Sequence, residues 1–362
     1  MQGTITIRSN SGLKWRRWAS ILLFDQGGIH CRIHGSDSWP GRRLPAVGAR
    51  RPPVRHTKAL DDWRGQIAVI ARQGFPDYHE PMAQADRDIA DDDRAAAYGE
   101  RPFFLRRDVP PGLNGMVARL TGYQENGQAL RHAPEVAAMV VPLVISFSDP
   151  FEIALGRHPT ADDRYASFTS GLYPGYVLIN STGAAQCVQI DFTPLGAYRF
   201  FGLPMSEIAS RMVALEDMGD RGVLELRCRL AALNDWNRRL DLVEEFVRQR
   251  IGKAESGVSA VTWAYNAIVK RGGDTRIREL AAELDWSRKH LNEKFHEVVG
   301  VGPKTVARMA RFNRAIEMAS AGNSRWADIA FATGYADQAH MTREFREFAG
   351  ITPGQFAVTF GR

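Results

Sequence analysis

Cysteine is scarce: Cys31, Cys187 and Cys228 are the three in 362 residues. An odd number, widely separated, offers neither a disulfide framework nor the paired spacing of a zinc site, so reduced thiols in a cytosolic protein are expected. Long apolar runs are missing as well. The longest, Val136 to Phe147, is about a dozen residues and contains Pro142 and Ser146, well short of the ~20 that a membrane-spanning helix needs. The charged start Lys14 to Trp18 is not followed by the small-residue cleavage pattern of a secretory signal, so export is not expected. Neither a nucleophile elbow nor a phosphate loop occurs. His132 and His158 stand far apart in sequence, and nothing near them spaces like a facial triad. No catalytic residue, metal ligand or cofactor is therefore expected.

What is present is ordinary for a soluble globular protein of two domains: 44% apolar and 24% charged residues. The net charge of +6 is unevenly spread. Lys and Arg outnumber Asp and Glu at both ends, while the middle is net acidic. A basic C-terminal segment fits a nucleic-acid partner. The basic N-terminal segment, residues 1–81, has little periodicity and is dense in Arg, Gly, Pro and Trp, as in Arg50-Arg51-Pro52-Pro53-Val54-Arg55. Such a stretch buries too little apolar surface to offset chain entropy. It reads as a poorly structured leader ahead of Met82 in preference to a DNA-binding arm.

From about Arg101 to Thr193, short apolar runs (Val140 to Phe147, Phe151 to Leu155, Tyr165 to Leu172, Tyr176 to Ile179, Cys187 to Phe192) are separated by Asp149-Pro150, Pro174-Gly175 and Thr182-Gly183. This is the pattern of an antiparallel sheet or barrel. Pro194 suits a helix start, Ser206 with Ile208, Met212 and Leu215 predicts a second helix, and Leu224 to Ile251 reads as continuous helical period. Within it Leu233, Trp236, Leu240, Val243 and Val247 form an apolar stripe. The expected fold is α+β: a β-rich domain with C-terminal helices over 82–251, a linker at 252–257, and an all-helical domain over 258–362.

That last domain says the same thing twice. Leu280-Ala281, Trp286-Ser287, His290-Leu291, Phe295, Gly300 and Pro303 recur as Ile329-Ala330, Tyr335, Asp337, His340-Met341, Phe345, Gly350 and Pro353. Each copy reads as helix, tight turn, helix, with Ser287 or Asp337 capping the second helix, a buried pair four residues apart, and a glycine stop. Helix-turn-helix units place such a second helix in a DNA groove. A connecting helix from about Lys304 to Ala319, roughly 24 Å long, can hold two such helices in successive major-groove segments.

These residues, with Arg311, Ala315 and Gly334, resemble the signature of the AraC/XylS transcriptional regulators, whose C-terminal domain has two helix-turn-helix units joined by a long helix. Asp285 stands where the first turn usually has glycine, which Asp tolerates because it visits the left-handed region more readily than most residues, and Met341 replaces a larger core residue. Less specifically, Ser148-Asp149-Pro150-Phe151 and Thr193-Pro194-Leu195-Gly196-Ala197 resemble the cupin-like sensor domains of such regulators. The resemblance implies double-stranded DNA as partner, a small-molecule effector, contact with RNA polymerase, and a homodimer.

It also implies roles. Arg288, Lys289, Asn292 and Glu293 of the first unit, and Gln338, Ala339, Thr342 and Arg343 of the second, face bases. The chemistry suits this, since Arg and Lys donate to guanine, Asn and Gln pair with adenine, Glu accepts from cytosine, and Thr and Ala meet the thymine methyl. Lys304, Thr305, Arg308, Arg311, His290 and His340 are placed for phosphate contacts, which fix register without reading sequence. Partial burial suits the two histidines equally well, and Arg311 can instead tie the units together through a carboxylate. Two rivals remain at this point: a cupin-like metal enzyme with an accessory DNA-binding domain, and a dimeric regulator that takes no effector.

Overall fold

A computed structural model describes residues 102–252, 259–321 and 325–360, together with two short strands in the N-terminal region. Those strands, β1 (Ile21–Asp25) and β2 (Gly28–Arg32), pair antiparallel. The rest of the expected leader and residues 253–257 of the linker expected at 252–257 lie outside the described residues, while Gly252 belongs to the preceding helix.

The β-rich half consists of two antiparallel sheets. The larger runs β12 (Met212–Ala214), β9 (Phe168–Ser170), β6 (Val141–Ser146), β11 (Gln186–Phe192), β4 (Val117–Gln124), β3 (Phe103–Arg107). The smaller runs β5 (Ala133–Glu135), β10 (Val177–Asn180), β7 (Phe151–Leu155), β8 (Arg164–Tyr165). Alternation along the strands sorts the side chains. Val144 and Cys187 of the larger sheet meet Phe151, Ile153, Val177 and Ile179 of the smaller one in the shared interior. Leu143, Ile145, Val188 and Ile190 turn to the other face, where the helices cover them.

Those helices are α1 (Pro194–Phe201), α2 (Leu215–Met218), α3 (Arg221–Ala231) and α4 (Trp236–Gly252). Thr193 caps α1 by accepting a hydrogen bond from the Gly196 N–H at 3.0 Å, and Pro194 fills the first helical position, where a missing N–H costs nothing. Phe192 and Phe200 then meet at 4.6 Å between ring centroids, tying strand to helix. On α4 the buried Arg239 lays its guanidinium over Phe147 and Trp236, 4.3 and 4.4 Å from the ring centroids, and its Nε donates to the Leu230 carbonyl.

Two expectations for this region fail. The helix from Ser206 does not form: after one 3-10 turn at Met205–Glu207, Ser210 takes φ 54°, and Met212–Ala214 pairs with β9 as an edge strand. Three apolar residues at helical spacing were serving a turn, a strand and a short helix. The continuous helix over 224–251 is two helices. Asp235 starts the second by accepting from the Arg238 N–H at 2.7 Å, so Leu233 falls in the break and leaves the stripe.

The C-terminal half is all helical: α5 (Ser259–Lys270), α6 (Ile277–Glu283), α7 (Arg288–Val298), α8 (Pro303–Ser320), α9 (Trp326–Ala332), α10 (Gln338–Ala349) and α11 (Pro353–Phe360). The connecting helix α8 has 18 residues, two more than expected. Its buried face of Val306, Met309, Phe312 and Ile316 packs between the two repeats. None of the described helices is long and apolar enough to cross a membrane.

Candidate DNA-binding interface

Each repeat builds its second helix the same way. In the first, the chain leaves α6 through Asp285 at φ 53°, and the Trp286 N–H bonds back to the Ala281 carbonyl at 2.9 Å. In the second, Gly334 at φ 75° does the same, with the Tyr335 N–H on the Ala330 carbonyl at 2.9 Å. Asp285 thus adopts the left-handed conformation required of the residue standing in the glycine's place. Ser287 then accepts from the His290 N–H at 3.1 Å, and Asp337 from the His340 N–H at 2.6 Å. Caps of this kind contribute about 1 kcal/mol each. Leu291 with Phe295, and Met341 with Phe345, are fully buried. The helices stop at Gly300 (φ 90°) and Gly350 (φ 73°), conformations that glycine reaches without a Cβ clash.

This leaves Arg288, Lys289, Asn292 and Glu293 exposed on α7, and Gln338, Ala339 and Arg343 exposed on α10 with Thr342 half-buried beside them. The faces differ. On α7, Lys289 lies 3.9 Å from Glu293, a weak intrahelical pair. On α10, the Thr342 hydroxyl donates to the Gln338 carbonyl at 2.8 Å, which leaves its methyl and lone pairs for a partner. Gln338, Ala339, Thr342 and Arg343 line an open groove of about 490 Å³, and Arg346 lines it with them. Arg346 was missed by the sequence reading, although a helical spacing of 100° per residue puts it between Ala339 and Thr342.

The residues placed for phosphate contacts divide. Lys304 is exposed and Thr305 half-buried in the first turn of α8, whose N-terminus has no side-chain cap. His290 sets its ring edge-on to Trp286 at 4.6 Å, and His340 does so to Tyr335 at 5.3 Å, so both histidines brace their turns. Arg308 is committed elsewhere. Its Nε donates to Glu344 Oε1 at 2.7 Å and its Nη2 to Glu347 Oε2 at 2.6 Å, binding the connecting helix to the underside of α10. Burial alone lowers the affinity of this guanidinium for its proton; hydrogen bonds to Glu347 and Glu344 more than reverse that and raise its pKa. Arg311 places its guanidinium over the Tyr335 ring, 5.3 Å from the centroid, and its buried Nε has no hydrogen-bond partner among the described residues. The carboxylate tie between connecting helix and second unit is thus made by Arg308, with Arg311 adding a stacked contact. Burial, and next to it the Glu344 charge, push the Tyr335 hydroxyl pKa up.

The β-rich half touches both repeats at matching places. Met205–Glu207 and α1 pack on α7, and a Cβ added at Gly300 would come within 3.1 Å of the Met205 carbonyl oxygen and the Ala209 Cβ. At the second stop, a Cβ on Gly350 would lie 3.1 Å from the Tyr176 ring, and the Ala137 N–H donates to the Phe348 carbonyl at 2.8 Å. No sequence signal marks Ala137, Tyr176 or Ala209 for this role.

Two capped, glycine-stopped helices with exposed polar faces are thus held on one long connector. Residues 280–358 match the family model described as a helix-turn-helix domain. This stretch is a helix-turn-helix domain. Proteins described as uncharacterized HTH-type transcriptional regulators of Staphylococcus aureus are 31% identical to this chain over 83 residues, 23% of this chain. The chain spans 11% of the length of these curated relatives. Among solved structures, apo ToxT K231A of Vibrio cholerae is 12% identical, with 67% of this chain and 97% of that one covered and a TM-score of 0.37. Unsaturated fatty acid-bound ToxT is also 12% identical, covering 70% and 97% with a TM-score of 0.38. The AraC-like transcriptional activator CuxR is 14% identical, covering 59% and 86% with a TM-score of 0.20.

His132 and His158, far apart in sequence, come together in the fold. Their rings meet edge-on at 4.5 Å, at the rim of the smaller sheet, where the Asn180 side chain accepts from the His132 N–H at 2.7 Å. No group of three or more metal-ligating side chains occurs among the described residues.

Proposed function

We propose that this protein is a sequence-specific transcription regulator whose AraC-type domain reads two adjacent major-groove segments of duplex DNA, with α7 in one and α10 in the other. The observation that carries the reading is the pairing of near-identical scaffolds with dissimilar exposed faces. Caps, buried pairs and glycine stops match; Arg288, Lys289, Asn292 and Glu293 do not match Gln338, Ala339, Thr342 and Arg343. Base identity is read by such side chains at the N-terminal end of a recognition helix. The site within one monomer is then asymmetric.

In this reading Lys304 and Thr305, at the uncapped start of α8, hold phosphate, while Arg308 holds α10. The β-rich half supplies control by a small effector or by dimerisation, with RNA polymerase as a further partner on DNA. Selection of bound sites from random duplex DNA tests the core claim. Recovery of a site with two unlike segments about 10 base pairs apart supports it; recovery of no enriched sequence ends it. Ligand-induced thermal shifts with a metabolite panel test effector control. Stoichiometric iron, manganese or zinc in purified protein would favour the metal enzyme instead.

A further inference from the structure

We infer that Arg346 is a further DNA contact, a phosphate anchor on the second reading face; the inference rests on the DNA-binding reading above. At 100° per residue, Gln338, Thr342, Arg346, Ala339 and Arg343 fall in that angular order within an arc of about 140°, with Arg346 in its middle. All five line the same open groove. Charge on this helix is sorted between two faces. Its acids, Glu344 and Glu347, fall outside that arc and pair with Arg308, at 2.7 and 2.6 Å. The groove therefore carries two guanidinium groups and no carboxylate.

The first unit lacks this arrangement. Glu293 occupies the place of Arg343, within reach of Lys289, and His296 occupies the place of Arg346. An arginine in the middle of the second face thus adds a permanent charge that the equivalent position of the first does not have.

Position along the helix decides between base and phosphate. Arg346 lies three residues beyond Arg343, about 4.5 Å further along the axis. A recognition helix presents its N-terminal residues to base edges, and this 12-residue helix, about 18 Å long, is longer than the ~12 Å width of the major groove. Its later turns come up beside the sugar-phosphate wall. A guanidinium there meets phosphate oxygens, to which it is matched in geometry.

The test uses the full chain with two duplexes, one carrying the selected site and one of scrambled sequence, titrated across a range of KCl concentrations. Arg346→Gln is compared with Arg248→Gln, which removes the same charge from α4, where it pairs with Glu244 and Glu245 and does not line the groove. The expected result is several-fold weaker binding of both duplexes by R346Q, with the slope of log K against log salt reduced by about 0.9 and their order of preference unchanged. R248Q should keep the wild-type slope. An R346Q slope and affinity equal to those of wild type would overturn the proposal, as would loss confined to the selected duplex, which would make Arg346 a base reader. If wild type itself binds neither duplex, the DNA-binding reading fails instead.

Discussion

The Ala137 N–H donates to the Phe348 carbonyl across 2.8 Å, joining a loop of the β-rich half to the last turn of α10. Ala137 is 3% exposed and Phe348 fully buried, so this bond sits inside the contact between the two halves. Ala137→Pro removes the donor and leaves a buried acceptor unpaired, at a cost of about 1 to 3 kcal/mol. Calorimetry on the full chain should show unfolding of the two halves drawn apart, where wild type unfolds in closer register. A single unshifted transition would mean that the bond couples nothing.

Arg308 and Glu344 predict a characteristic asymmetry between single and double variants. Arg308→Met strands a carboxylate that is 97% buried (Glu344 is 3% exposed) and should cost roughly 3 to 5 kcal/mol. Adding Glu344→Met should recover most of that loss, because two apolar side chains of similar length fill the same space. Chemical denaturation of the three variants measures it. Equal instability of single and double variants would contradict the account.

The caps permit a local prediction. Ser287→Ala and Asp337→Ala each should lower stability by about 1 kcal/mol, and Ser287→Asp should restore the first. Each loss should weaken DNA binding through the fraying of one recognition helix. Thermal melts and binding titrations on the same samples separate the two effects.

Base and phosphate contacts should part company on sequence. Arg343→Ala and Asn292→Ala should relax preference at particular base pairs by about 1 to 3 kcal/mol, whereas Lys304→Ala should weaken every sequence alike. Competition titrations with single-base variants of the selected site provide the readout. Uniform losses for all three would remove the division of roles.

In the β-rich half, Asp163 accepts two hydrogen bonds from Arg157 at 2.7 Å and two more from Thr160 at 2.8 Å. The Arg157 guanidinium first, and Thr160 after it, hold the Asp163 carboxyl down to about 2, below its ordinary 3.8. A folded pKa below the unfolded one means stability that is fully present above 3.8 and is lost as the pH falls through about 2. Arg157→Gln should therefore destabilise the β-rich half at neutral pH and flatten its acid unfolding between those values. Fluorescence-monitored acid titration of both proteins checks the sign.

The C-terminal domain was legible because its determinants are local. A cap, a buried pair four apart and a glycine stop each act within one helical turn, so their spacing survives in the sequence. Asp285 shows how far this reaches, since its left-handed φ could be read from the copy alone. The helix expected from Ser206 was not legible for the opposite reason. Ile208, Met212 and Leu215 are spaced for one helix face, yet strand pairing of Met212–Ala214 with Phe168–Ser170, over forty residues away, decides their conformation. The ion pairs of Arg308 were not legible on the same ground: its partners Glu344 and Glu347 lie some forty residues on. Arg346 lay in plain view on the helical arc of α10.

Gly300 ends α7, Gly350 ends α10, and each lies against the β-rich half, one at Met205 and Ala209, the other at Tyr176. The separation of the two reading helices is therefore gauged twice, once by the connecting helix and once by the span of the sheets. An operator with a base pair inserted between its two segments cannot be accommodated by bending α8 alone; it must also lift one glycine corner off the sheets. On the proposed reading, tolerance to operator spacing is a property of the β-rich half.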